Sequence, residues 1–334
     1  MPNRRLFTIK PAFLILILSG LMACGGGGST TSPTPTTTVD VFDGAAVGCT
    51  VSTDSATAIE VGASSPGKYT ISGTLDVGTI VNATSCTDSD TNSQLPAMAG
   101  VAQSGGVVIS PITTLIVAVA IANDAARGKI ANRASARSVS TSALAAAIAS
   151  IVTNLGLGSY DPTDPVTANY VADAKADTTG TGTAAAVMRI SLALSTLLKA
   201  VEVAAGSTNA TTAVSAVSEA IALSITVVDL TSTSAITTVM TAAATLDTTV
   251  ATAITTASDA IAPSVATISS LTGSIQITIA ATTAVSTVLN TATEETISDT
   301  TVITAQLETT IDTAVETATP ICSLGISTIG GCKI

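Results

Sequence analysis

The sequence predicts an α+β protein in which a small, disulfide-stapled β-sandwich precedes a mostly α-helical bundle. Short apolar segments separated by Gly, Ser, Asp and Asn occupy residues 39–110, which is typical of strands and turns. Beyond residue 110, apolar residues recur at intervals of three and four, which is typical of helices. Cys49 and Cys86 lie inside the β segment, and a domain of that size needs a covalent staple to supplement its core.

The N-terminus has the composition of a secretory signal. Residues 1–23 combine three basic residues with the apolar run 12–18, which is too short to span a bilayer, since spanning takes about 20 residues. The run ends in Leu21-Met22-Ala23-Cys24, which resembles the lipobox of bacterial lipoproteins. The resemblance implies cleavage before Cys24 and acylation of its sulfur. The alternative is an ordinary signal, cleaved or retained as an anchor, with an incidental cysteine.

Residues 24–38 are expected to form the tether of such a lipidated chain. Four glycines follow Cys24, and a Ser/Thr/Pro segment continues to residue 38, a composition typical of flexible and extended linkers. By the same resemblance, the absence of Asp after Cys24 favours the outer membrane of a Gram-negative cell. We therefore expect a protein held on the outer membrane by the lipid on Cys24 and displayed at the cell surface.

Composition excludes several classes of function. Removal of residues 1–23 leaves nine basic and 23 acidic residues, so the net charge of −14 argues against nucleic acid as a partner. The sequence has no His and no Trp, which excludes Ser-His and Cys-His catalysis and His-ligated metals. Glu294 and Glu295 are adjacent and face different sides of a helix, while Asp161 and Asp164 fit helix caps. We expect no catalytic site and no cofactor.

Four cysteines remain once Cys24 is lipidated: Cys49, Cys86, Cys322 and Cys332. An even number in an exported chain favours disulfides. Three pairings are open, and we expect the two local ones, Cys49 with Cys86 and Cys322 with Cys332. The second bond would close a C-terminal loop over residues 320–334. Zinc is disfavoured because the spacings lack a Cys-x-x-Cys pair.

The β segment carries a second resemblance. Strands are predicted around Val47–Val51, Tyr69–Ile71, Ile80–Val81 and the GGVVIS segment at 105–110. The stretches DGAAVGCTV (43–51), GKYTI (67–71) and VVISPITTLIVAV (107–119) resemble the small β-sandwich and following Thr-Thr-Leu step of Gram-negative surface lipoproteins and repetitive adhesins. Those sandwiches are similar to carboxypeptidase-regulatory-like modules. LGLGSYDPTDP (155–165) resembles the Leu-Gly…Tyr/Phe-Asp-Pro segment that is found later in such chains.

One short segment has the spacing of a calcium loop. Asp88, Asp90 and Asn92 stand at i, i+2 and i+4, as at the start of an EF-hand loop. Ser93 replaces the glycine of the sharp turn, and Ala99 stands where the bidentate Glu is needed. A solvated turn beside a disulfide is the alternative that we favour, and no metal site is expected.

Residues 111–319 are expected to be helical. Ser110 fits an N-cap and Pro111 the first helical position. Helices are also predicted at 140–156, with Gly156 as the stop, and at 184–206.

The Thr-rich stretch 232–319 is predicted to be helical although Thr and Val favour strands. Gly273 is the one glycine between residues 207 and 324, so the frequent turns of a β-structure have no place to form. Apolar residues also hold a three–four spacing, at Ile236, Val239, Ala243, Leu246, Val250, Ala253, Ala257 and Ala260, and again at Ile303, Leu307, Ile311 and Ala314. Breaks are expected near Gly206, Pro263 and Gly273.

These observations predict an outer-membrane-anchored lipoprotein with a structural or interaction role, adhesin-like and non-catalytic. Its expected partner is a protein or glycan of the envelope or the extracellular space. The alternative is an envelope carrier that holds a small apolar ligand inside the helical bundle. The basic segment RGKIANRASAR (127–137) is interpreted as a solvated loop, with a docking patch for an anionic partner as the alternative.

Overall fold

A computed structural model describes residues 35–62, 64–130, 135–163 and 170–318. The predicted signal, Cys24, Asp164 and the Cys322–Cys332 bond lie outside the described residues. The α+β order is confirmed, with a β region followed by helices.

Seven strands of the described chain form one sheet, and two form a separate ribbon. The sheet has the order β3-β6-β8-β9-β1-β5-β4, and β2 pairs with β7. β1 is antiparallel to β5 and parallel to β9. It begins at Thr36, within the segment expected to be the tether. The strands are β1 (Thr36–Val41), β2 (Ala46–Val47), β3 (Thr50–Ser52), β4 (Ile59–Glu60), β5 (Lys68–Ser72), β6 (Ile80–Thr84), β7 (Thr87–Asp88), β8 (Met98–Gln103) and β9 (Gly106–Ile109).

The sheet nearly closes on itself, so the β region is one curved sheet with a small ribbon beside it. Its two edge strands, β3 and β4, are consecutive in the chain. A bridge between Ser52 and Thr57 links them, and the Ala58 amide donates to the Val51 carbonyl over 2.8 Å. This near-closure satisfies edge groups that an open sheet would leave unpaired. Val39, Tyr69, Ile71 and Val107 fill the interior of the sheet.

The predicted Cys49–Cys86 disulfide is present. It joins the residue before β3 to the segment between β6 and β7, 37 positions later. Cys86 is fully buried with the core of the sheet. The bond therefore links two segments that are distant in the sequence. It also supports a core of modest size.

Helices are the other regular elements of the described chain. They are α1 (Pro111–Ala126), α2 (Thr141–Asn154), α3 (Tyr170–Ala176), α4 (Thr183–Leu223), α5 (Thr233–Leu246), α6 (Ala251–Ser270), α7 (Ile275–Thr291), α8 (Glu294–Ser298) and α9 (Thr300–Ala318). α4 lies at the centre and packs against α1, α3, α5, α6 and α7. By length and composition α4 alone, among the described helices, is suited to cross a membrane, but 72% of its apolar window is buried within the protein, as in a core helix.

α1 begins as predicted and explains the Thr-Thr-Leu step. Ser110 is the N-cap, its hydroxyl accepting from the Thr113 amide, and Pro111 opens the helix. Thr113 and Thr114 then clamp one residue of β8. The Thr113 hydroxyl donates to the Ala99 carbonyl over 2.8 Å, and the Ala99 amide donates to the Thr114 hydroxyl over 3.0 Å. The two threonines thus fasten the first helix to the sheet.

Two of the three predicted helix breaks are confirmed. Gly206 adopts a positive φ of 64° inside α4 and kinks it, and Gly273 lies between α6 and α7. The break at Pro263 is wrong, because α6 runs through it. Proline lacks the N–H that would donate to the Asp259 carbonyl. The Thr304 hydroxyl of α9 reaches that region instead, donating to the Ala260 carbonyl over 3.1 Å and approaching that of Asp259 at 3.4 Å.

The helical pattern of the Thr-rich stretch is confirmed with small exceptions. Most of the predicted packing residues are buried, while Ala253 and Ala314 are half-buried. Leu246 is exposed because it is the last residue of α5, where the helix leaves the core.

Acidic residues shape the loops between consecutive helices. Each accepts two hydrogen bonds at Oδ1, from the amide and the hydroxyl of a threonine two residues later. The pairs are Asp161 with Thr163, Asp177 with Thr179, Asp229 with Thr231 and Asp247 with Thr249. Such Asx turns satisfy backbone donors locally, so these carboxylates serve the loops between helices.

Loss of the disulfide is expected to destabilise the β region strongly. In the chain-entropy account, opening a loop of 37 residues lowers the free energy of unfolding of a Cys49→Ser/Cys86→Ser variant by roughly 4 kcal/mol. Urea denaturation followed by circular dichroism measures the change. Ser72→Ala, at the exposed end of β5, is the control and should stay within about 0.5 kcal/mol. An unchanged midpoint in the double variant would show that the bond does not support the fold.

Candidate functional site

Three of the four aromatic residues that follow residue 23 converge where the β region meets the helices. The Phe42 and Tyr170 rings lie 6.3 Å apart, and the Tyr160 and Tyr170 rings 6.0 Å apart in an edge-on arrangement. Phe42 follows β1, and Tyr170 begins α3. In a chain with so few aromatics, this cluster marks the junction between the two parts of the fold.

Asp43 is the buried acid of this junction. It lies in the turn between β1 and β2, beside Phe42, and only 2% of it is exposed. Burial raises the pKa of Asp43 well above its ordinary value, and the nearby Asp88 adds to the rise, while the hydroxyls of Ser195 and Ser191 oppose it. Its Oδ1 has no hydrogen-bond partner among the described residues. Burial and the unpartnered oxygen therefore both favour the protonated form of this carboxyl group over the charged one.

α4 supplies the polar face of the junction. Ser191 and Ser195 stand one turn apart, so both hydroxyls face the same side of the helix. The Tyr170 hydroxyl donates to the Ser191 hydroxyl over 2.7 Å. Burial raises the pKa of Tyr170 well above its usual value, with a further contribution from Asp43. A tyrosine, a serine pair and a carboxyl group thus connect α3, α4 and the β1–β2 turn.

Asp88 is a second buried acid near Asp43. Its Oδ1 accepts from the Asp90 amide and its Oδ2 from the Thr91 hydroxyl, both over 2.9 Å. The carboxyl group lies against Gly44, where an added Cβ would come within 2.2 Å of Oδ1. Burial raises the pKa of Asp88 to about 6, while its hydrogen bonds and Lys175 lower it. Gly44 is thus required for the close approach of this carboxyl group.

The three residues of the calcium-like spacing do not converge on one point. Asp88 turns into the protein, Asp90 pairs with Lys175 over 2.5 Å, and Asn92 adopts a positive φ of 52° in the turn. Within the described ranges, no three His, Cys, Asp or Glu side chains gather as a metal site requires. The segment serves to aim Asp88 at the junction.

Of the other acids singled out by the sequence, Asp161 has a local partner. Asp161 holds Thr163, whose hydroxyl also accepts from the Gln103 side chain over 2.6 Å. Glu294 and Glu295 lie exposed in the first turn of α8.

The described cations of the basic segment also have partners. Lys129 pairs with Asp124, Arg137 with Asp54, and Arg127 donates to Ser142. These contacts agree with the interpretation of the segment as an interhelix connection.

The chemistry of the junction is that of a sealed polar core. A carboxyl group with a raised pKa can serve as a general acid, but Asp43, Tyr170 and Ser191 are all buried. A substrate in solution does not reach them in this conformation. The arrangement is suited to holding the β region on α3 and α4, and to making that contact depend on protonation.

Sequence reasoning did not identify this junction. Asp43 was visible in the Asp-Gly pair that opens the β motif, and the scarce aromatics Phe42, Tyr160 and Tyr170 were the available signal. The contact of Phe42 with Tyr170 joins residues 128 positions apart, and no local pattern reveals it.

Comparisons with known proteins found no relative of this chain. Protein-family models, curated proteins and solved structures each gave no match to this chain.

The buried acids predict that the protein is more stable at pH 5 than at pH 8. A carboxyl group whose pKa is raised on folding stabilises the native state below its unfolded pKa, and that contribution is lost as pH rises through the folded value. For Asp88, with a pKa of about 6 against an ordinary 3.8, the full loss is about 3 kcal/mol, and roughly 1–2 kcal/mol of it falls between pH 5 and pH 8. The chain has no histidine, so this pH window reports mainly on raised carboxyl groups.

Urea denaturation at several pH values tests this dependence. Asp43→Asn and Asp88→Asn should each flatten the curve between pH 5 and pH 8, because an amide has no proton to lose. Asp312→Asn, exposed on α9, should leave the curve as it is. Equal pH dependence in all three variants would show that the junction does not titrate.

Proposed function

We propose that this chain is an outer-membrane lipoprotein, anchored through the lipid on Cys24, that displays its β region and helices at the cell surface. Its role is structural or one of adhesin-like interaction, without catalysis and without a cofactor. The partner is a protein or glycan of the envelope or the extracellular space. The observation that carries the proposal is Leu21-Met22-Ala23-Cys24 at the end of a basic and apolar leader.

The start of the fold supports an anchored arrangement. β1 begins at Thr36, twelve positions after Cys24. A chain of that length spans at most about 40 Å when fully extended. The folded region would therefore stay close to the membrane surface, and two or more acyl chains on Cys24 would make the attachment stable.

The surface of the helical region supports interaction rather than chemistry. Eleven acids and no Lys or Arg occur between residues 200 and 332, which disfavours nucleic acid and gives trypsin-like proteases no cleavage site there. Many exposed threonines donate their hydroxyls to carbonyls of their own helix, as do Thr238, Thr255, Thr287, Thr309, Thr313 and Thr317. The helical region therefore has an acidic surface on which many hydroxyl donors are already satisfied.

The β region supports a display module of the adhesin type. The finer architecture that we propose is a disulfide-stapled sandwich-like module leading through Thr113 and Thr114 into a helical bundle. The clamp of both threonines on Ala99 gives the Thr-Thr-Leu step a mechanical role, because it joins the module to the first helix. A rigid connection of this kind suits a protein that presents one part at a distance from its anchor.

Lipidation of Cys24 is the first test. In a Gram-negative host, the full chain should incorporate labelled palmitate and fractionate with the outer membrane. Cys24→Ser should lose the label and leave the outer-membrane fraction, because the sulfur that carries the lipid is gone. Ser29→Ala in the same segment is the control and should behave as the parent. An unlabelled parent found in the soluble fraction would contradict the proposal.

Protease treatment of intact cells tests surface display. Proteinase K is the suitable enzyme, because trypsin finds no Lys or Arg between residues 200 and 332. We expect the chain to be degraded on whole cells while a periplasmic marker stays intact. Protection of the chain until the outer membrane is permeabilised would place it on the inner face and rule out a surface role.

A further inference from the structure

We propose that the cleft beside Arg189 binds a small monocarboxylate with a short apolar tail. The cleft has a volume of about 590 Å³ and lies among α4, the α4–α5 loop and the end of α6. That volume falls within the range of small-molecule sites in proteins, roughly 300–1,000 Å³. This inference stands apart from the anchoring of the chain, since it concerns the helical region alone.

The walls of the cleft are largely apolar. Leu155, Ile190, Val228, Leu230 and Leu271 line it, together with hydroxyl-bearing residues at the end of α6 and just after it. Apolar walls with a few polar groups are typical of sites that hold a hydrocarbon and orient its polar end. The cleft therefore suits an amphiphile better than a sugar or a nucleotide.

Arg189 is fixed in place without an acid partner. Its Nη1 donates to the Gly180 carbonyl over 2.7 Å and its Nη2 to the Gly273 carbonyl over 2.8 Å. Among the described residues it forms no ion pair, and its Nε is buried without an acceptor. The guanidinium is thus held by two neutral carbonyls, and its positive charge is left for another anion.

The nearest acids are already engaged. Asp177 raises the pKa of Arg189 from a distance, against the larger lowering by burial. Its own carboxylate accepts from Thr179, Gly180 and Gly182, which lowers its pKa to about 2. Asp177 therefore shapes the loop that holds Arg189 and does not occupy the guanidinium.

A second polar group in the cleft also lacks a partner. The Ser269 hydroxyl of α6 is buried and makes no hydrogen bond to a described residue. A carboxylate has two oxygens and accepts from a guanidinium and a hydroxyl together. Asp229 also lines the cleft, and the Thr231 amide and hydroxyl hold its Oδ1. That negative charge disfavours a polyanion, so a single acid group fits best.

Octanoate is the probe for this site. Isothermal titration on the full chain carrying Cys24→Ser, which removes a competing lipid, should show saturable binding of one octanoate. Methyl octanoate has the same tail without the charge and should bind at least tenfold more weakly. Octanoate that fails to bind the folded protein, or a methyl ester that binds equally well, would overturn the proposal.

Two variants test the assignment of the charge. Arg189→Gln should weaken octanoate binding at least tenfold. Ser270→Asp places an acid on the exposed rim of the cleft and should weaken binding similarly without touching the Arg189 clamp. Ser298→Asp, exposed on α8 and outside the cleft, is the matched control and should bind as the parent.

If Arg189→Gln fails to fold, as circular dichroism would reveal, Ser270→Asp decides alone. If folded Arg189→Gln or Ser270→Asp binds octanoate as tightly as the parent, the ligand binds elsewhere and the proposed site is wrong. Because the titration uses chain without a lipid anchor, its failure leaves the lipoprotein proposal untouched, and failure of lipidation leaves this one untouched.

Discussion

The other helices depend on the burial of α4. Between Val187 and Val201 most side chains are buried, so the helix is apolar on nearly every side and has to be surrounded. α1, α3, α5, α6 and α7 pack around it. Ala193, Ala200 and Ala204 let those neighbours approach closely, which makes a dense core from small residues. The non-helical backbone at Gly206 then breaks the helix into two halves and redirects the second.

The same helix also receives the β region. Ser191 and Ser195 interrupt its apolar surface and face the buried carboxyl group of Asp43, while Tyr170 donates to Ser191 from α3. Buried polar groups without partners are costly, so this contact requires the β1–β2 turn in one position. Together with the Thr113–Thr114 clamp on Ala99, the cluster joins sheet and helices at two places. The β region and the helices are therefore parts of one folded unit.

Threonine has two roles in this chain. In the loops between helices its amide and hydroxyl complete the Asx turns of Asp161, Asp177, Asp229 and Asp247, so four acids are used structurally. On the helices its hydroxyl donates to a carbonyl of the same helix, which satisfies that donor without a partner from elsewhere. Thr304 of α9 instead donates its hydroxyl to a carbonyl of another helix, that of Ala260 in α6, in the turn before Pro263.

The sequence by itself determined much of the secondary structure of the helical region. Capping at Ser110, the stop at Gly156 and the helical spacing of the Thr-rich stretch are local patterns, because helix formation depends on neighbours three and four residues apart. The export context and the cysteine spacing likewise predicted the Cys49–Cys86 bond. Tertiary structure alone decided that α6 passes through Pro263, that the sheet nearly closes, and that Asp43 lies near both Asp88 and Tyr170. Each of these depends on partners distant in the chain, and such contacts leave no periodic signal in the sequence.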